Sequence, residues 1–187
     1  MRSPALVRLA GLAGVAGGLA WVVLAVLWLT VGGGATLLGY GMLDALAPVT
    51  FALALAGVAG YRAQTVRAWG RLATAGFAIF AAGLAVTVVA SLVYVVSDVL
   101  EGWTVSVWSY LLAMVGATVF GTGLLWASVP PRSGAALFAG TLPVGVGVPL
   151  ALAVSGVAPD EAVIAAGPGV LVGTGIVTVG WQVWRKY

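Results

Sequence analysis

An all-α, polytopic integral membrane protein, a bundle of six transmembrane helices with both termini on the cytoplasmic side, is the fold class this chain predicts. Three observations carry that expectation. Of the 187 residues, 62% are hydrophobic and only 7% are charged, whereas a soluble domain keeps about a quarter of its residues charged. The apolar residues gather into six stretches near the roughly 20 residues that a helix needs to cross a hydrocarbon core of about 30 Å. All eight Lys and Arg fall in the termini or in alternate connections, and all five Asp and Glu fall at or near the remaining ones.

The first stretch, 6–31, follows Arg2 and lies around Arg8. It exceeds the apolar region of a signal peptide, about 7 to 15 residues, and is expected to remain as the first transmembrane helix. The second, third and fourth are 43–61, 72–96 and 105–129, and the fifth and sixth are 135–154 and 162–184. Together they make one transmembrane domain over 1–187. Only a helix or a closed barrel satisfies its backbone groups in lipid. The alternating segments of about 10 residues that mark barrel strands are missing here.

The connections set the orientation. The stretch 61–71 holds Arg62, Arg67 and Arg71, a later connection holds Arg132, and the C-terminal tail holds Arg185 and Lys186. The intervening connections carry Asp98 with Glu101, and Asp160 with Glu161. Because Lys and Arg are retained in the cytoplasm, this segregation puts both termini inside. Adding or deleting one span would mix basic and acidic connections on one side. Trp69, Trp126, Trp181 and Trp184 fall toward the inner interface and Trp28, Trp103 and Trp108 toward the outer one, as aromatic belts require. Trp21 falls nearer the middle, where packing is its expected role.

Composition also excludes chemistry. The chain has no Cys and no His, so disulfides, iron–sulfur clusters, thiol redox chemistry and His-ligated metal or haem are not available to it. The only Lys is Lys186 after the last stretch, which removes a retinal Schiff base and a Ser/Lys dyad with the outer serines. Although the net charge is +3, the basic residues lie in short connections rather than on a water-facing patch, so nucleic acid is not an expected partner. No cofactor and no enzymatic activity are expected.

Candidate site residues come from three patterns in the outer half. Thr87, Ser91, Tyr94 and Asp98 are spaced by 4, 3 and 4, which places them on one face of the third helix. Such a stripe lines a water-reachable groove or serves close helix packing through small and hydroxylated residues. Tyr40 and Asp44 are four residues apart near the start of the second helix. There Asp44 is expected in the first turn, near the outer headgroups and the favourable end of the helix dipole. Pro149 and Pro168, with Pro48, Pro143 and Gly167–Gly169 as further breaks, sit at similar depth in the fifth and sixth helices. Paired interruptions of this kind mark binding sites in some transporters, so an outer cavity between those two helices is expected, against plain kinks that shape the bundle.

Pairs of small residues at Gly14 and Gly18, and at Gly169 and Gly173, read as helix contacts. A weak match between 18–27 and 83–92, six of ten positions, reads as the product of Ala, Val and Leu-rich composition, against a duplication that would relate two hairpins in parallel as in some transporters. No motif names a substrate. The expected function is a non-enzymatic membrane protein of a prokaryotic cytoplasmic membrane that works by helix association with lipid, itself or a partner subunit. The alternative is a small permease or channel, or an outer-leaflet binder of a neutral, cationic or lipid-like ligand. Expected partners are membrane lipids, with self-association or a larger membrane complex.

Overall fold

The structure, a computed structural model, describes residues 4–32, 40–156 and 161–186, and the side chains of 29–32, 40 and 161–165 lie outside that description. It is all-helical, with no strand among the described residues. The helices are α1 (Pro4–Gly32), α2 (Tyr40–Thr65), α3 (Arg71–Ser97), α4 (Leu100–Trp126), α5 (Arg132–Ala139), α6 (Thr141–Gly145), α7 (Gly147–Val154) and α8 (Glu161–Arg185). Five of them are long and apolar enough to cross a membrane, and the bent succession α5 to α7 makes six if taken as one span.

From α1 to α5 each long helix packs against the next, and α8 closes the ring by packing along α1 and α5. Glycines set the separations. A Cβ on Gly57 of α2 would clash with the Cα of Gly14 in α1, so these backbones touch with no side chain between them. One turn further along α1, Gly18 faces Gly173 of α8, where an added Cβ would stand 2.6 Å from the Gly173 carbonyl oxygen. In the α3–α4 pair, Gly76 meets the backbone of Phe120 and Gly116 meets that of Phe80. Both small-residue pairs predicted to mediate helix contacts are thus used between helices of this one chain.

Helix ends follow local chemistry. The turn between α3 and α4 is tighter than the expected 97–104 connection. Asp98 adopts a left-handed conformation (φ 51°, ψ 33°) and its N–H donates to the Tyr94 carbonyl at 2.8 Å, while Val99 is extended and α4 restarts at Leu100. Asp is among the few non-glycine residues that visit this region readily. Glu101 then lies in the first turn of α4, where the helix dipole favours a carboxylate.

The fifth span departs most from expectation. Instead of one helix over 135–154, the chain breaks at Gly140 and again at Val146, and α5 is bent by 48° from the α6–α7 pair. Pro143 and Pro149 lack the N–H groups that would bond the carbonyls of Ala139 and Gly145, and Gly140, Gly145 and Gly147 add little helix propensity. The N–H of Leu142, next to the first break, is taken up by the Thr118 hydroxyl of α4 at 3.1 Å. Beyond the second break α7 packs mainly on α6 and exposes Val148, Leu150 and Val154.

Antiparallel order gathers charge at the two ends. Every Lys and Arg among the described residues lies at the end where α1 begins, and Asp44, Asp98 and Glu101 lie at the opposite end. The basic end is closed by aromatic packing of Trp69 against Tyr61, Phe77 and Phe120, with ring centroids 5.0 to 6.2 Å apart. The Tyr61 hydroxyl donates to the Pro130 carbonyl at 2.6 Å, joining the 61–71 stretch to the α4–α5 connection. Arg62 lies over the Phe77 ring and Arg8 over that of Trp184.

Candidate functional site

At the acidic end, α1 to α4 surround a cavity of about 320 Å³. Its wall on α2 is Asp44, Ala47 and Phe51, spaced by 3 and 4, so one face of that helix turns toward it. The facing wall on α3 is Thr87, Ser91 and Tyr94, again spaced by 4 and 3. Trp103, Ser106, Val107, Tyr110 and Leu111 supply the α4 wall, and α1 contributes Trp28.

An aromatic floor separates this space from the rest of the core. Trp21 of α1, fully buried, packs on Phe51 at 4.6 Å between ring centroids, and Tyr110 lies 6.1 Å from each of them. The Trp21 indole bonds the Tyr110 hydroxyl. Mid-bundle Trp21 is therefore a packing residue, as its depth in the sequence suggests. Beside this floor Thr87 bonds the Gly83 carbonyl at 2.8 Å and pairs with the Ser109 hydroxyl across the α3–α4 contact at 2.9 Å. Thr87 thus serves helix packing while also forming part of the wall.

Asp44 is the one acidic residue in this lining. It lies past the first turn of α2, which holds no acidic residue because the helix starts at Tyr40 rather than at 43. The expected first-turn placement is corrected on that point. Asp44 is half-buried, and the described basic side chains are all at the other end of the bundle, so none reaches it. In a regular helix the Asp44 carbonyl would accept from the residue four positions on, which is Pro48 and has no N–H to give. One residue therefore brings a carboxylate and a carbonyl that its own helix does not bond in the regular way. In the same lining, Trp28 holds a buried indole N–H with no hydrogen-bond partner among the described residues.

The eight residues singled out from the sequence part company here. Asp44, Thr87, Ser91 and Tyr94 share this cavity. Asp98 is exposed at the left-handed turn that ends α3, which directs the chain away from the stripe. Tyr40 begins α2, and its side chain lies outside the described residues. Pro149 lies buried in α7 and Pro168 buried in α8, and where α6 meets α8 the two helices are in close contact: a Cβ on Gly145 would stand 2.7 Å from the Pro168 ring. Trp28, Phe51, Trp103, Ser106 and Tyr110 were not singled out. A signal for the α4 wall was present, since Trp103, Ser106 and Tyr110 are spaced by 3 and 4 as the α3 stripe is.

Fold and cavity define the class: an all-helical protein with five or six helices of membrane-crossing length, holding an aromatic-walled cavity with one carboxylate at its acidic end. No protein-family model matches the chain, and neither a curated protein nor a solved structure shows significant similarity to it.

Proposed function

We propose that this chain is a multi-pass protein of a prokaryotic cytoplasmic membrane, with six spans and both termini cytoplasmic, that binds a small ligand in an outward-facing cavity. It acts there as an outer-leaflet binder or as a small permease. The observation that carries this reading is the cavity of about 320 Å³ between α1 and α4, at the lower end of the range of small-molecule sites and, like them, mostly apolar with a few convergent polar groups. Orientation follows from charge, because the basic end is the one that stays in the cytoplasm. Exposed tryptophans at both ends, Trp126 at 82% and Trp108 at 69%, suit the two interfaces of a bilayer.

Binding is favoured over catalysis because the cavity brings one carboxylate and several hydroxyls but no Cys, His or Lys. Association with lipid belongs to the same reading, since apolar side chains such as Leu6, Val89 and Val96 stand exposed along the outside of the bundle. Association with further copies has less support, because the small-residue faces of α1 and α8 pack on each other within the chain.

The native chain has no Cys, so single substitutions report access cleanly. Ser91→Cys and Ser106→Cys should react with a membrane-impermeant maleimide added to intact cells, while Arg67→Cys should react only once the membrane is opened. Failure of both cavity positions to react from either side, with Val99→Cys reactive from outside, would overturn the reading.

A further inference from the structure

We infer that the occupant of the cavity is a monovalent organic ammonium cation, held with its charge between the Asp44 carboxylate and the aromatic rings that line the same space. This inference rests on the ligand-binding reading above and narrows it to one chemistry.

Charge selects the sign. Asp44 has no described basic side chain within its half of the bundle, Pro48 leaves its backbone carbonyl without the usual donor, and Asp98 and Glu101 lie at the same end. An anion entering this space meets only like charge. A neutral ligand would leave a half-buried carboxylate with no counter-charge, which is costly away from water.

The walls select the kind of cation. A hard metal ion such as Ca²⁺ needs six to eight oxygens, but the described residues bring together no group of three or more acidic or imidazole side chains. Trp28, Phe51, Trp103 and Tyr110 instead present ring surface, and an ammonium carrying alkyl groups is attracted to aromatic faces while its methyl groups are buried. Aromatic walls around a carboxylate therefore suit an alkylated ammonium better than a strongly hydrated ion. The indole N–H of Trp28, without a partner among the described residues, adds a preference for an acceptor oxygen on the same ligand.

The test compares choline with 3,3-dimethylbutan-1-ol, which has the same shape and hydroxyl but a carbon in place of the charged nitrogen. Each is added to the full chain in lipid nanodiscs carrying Ser106→Cys, and protection from a maleimide is titrated. Choline should protect at about tenfold lower concentration than the alcohol, a difference of about 1.4 kcal/mol. Adding Asp44→Asn should remove most of that preference and Asp44→Glu should retain most of it. Trp103→Ala should weaken choline several-fold and the alcohol less.

Equal protection by the two compounds, unaffected by Asp44→Asn, would overturn the cation inference and leave the cavity reading standing. A reactive Ser106→Cys protected by neither compound would also overturn it. An unreactive Ser106→Cys, together with an unreactive Ser91→Cys, would instead remove the cavity reading on which it rests.

Discussion

Gly57 illustrates how a single residue fixes a separation in this protein. A side chain there has nowhere to go, because its Cβ would clash with the Gly14 backbone and a backbone does not rotate away as a flexible side chain would. Overpacking a fitted contact costs about 1 to 3 kcal/mol. Gly57→Leu should therefore lower the thermal midpoint of the detergent-solubilised protein by several degrees, whereas Gly41→Ala, which meets nothing within 4 Å, should leave it unchanged. Equal midpoints for the two variants would contradict the close α1–α2 approach. Not every small residue carries such a role: Thr87 and Thr122 both bond the carbonyl four residues back, yet only Thr87 also reaches another helix.

At the scale of the element, the broken fifth span is the feature that hydropathy could not resolve. Apolar content over 135–154 predicts one helix, and Pro143 and Pro149 announce interruptions. Where the chain turns depends on which neighbour accepts the freed backbone groups. Thr118 on α4 accepts the Leu142 N–H, and Pro168 on α8 fills the space beside Gly145. Thr118→Val keeps the shape and removes the acceptor, leaving a part-buried N–H unpaired at a cost of about 1 to 3 kcal/mol. Thr122→Val removes only a bond to its own helix. Chemical denaturation of the two variants should place Thr118→Val well below the parent and Thr122→Val within about 0.5 kcal/mol of it.

The α3 stripe shows the converse case. Thr87, Ser91 and Tyr94 share a face because helical spacing is local, and that much was legible from residue numbers alone. Their partners across the cavity were not, because nothing in the spacing of one helix states which face of the next is turned toward it.

Over the whole molecule, charge orders the chain more simply than packing does. Antiparallel helices bring every described Lys and Arg to one end and Asp44, Asp98 and Glu101 to the other, and insertion would hold the basic end inside. The 61–71 stretch contributes Arg62, Arg67 and Arg71 to this asymmetry, and its Trp69 and Tyr61 also pack into the closing aromatic cluster. Replacing all three arginines by Gln should give a mixed population, read by a C-terminal reporter that is active on only one side of the membrane. A population still wholly of one orientation would show that the remaining basic residues suffice.

By itself, the sequence determined the all-helical class, the approximate extent of five long apolar helices, the alternation of basic and acidic connections, and the shared face of Thr87, Ser91 and Tyr94. Each of these depends on hydropathy, charge or helical period within a short stretch of chain. Only the tertiary structure decided that a cavity lies among α1 to α4 with Asp44 in its wall, and that Gly145 of α6 packs on Pro168 of α8. Cavities are what remains after helices have packed, and that packing is set by through-space contacts such as Gly14 on Gly57 and Gly145 on Pro168, between residues far apart in the chain.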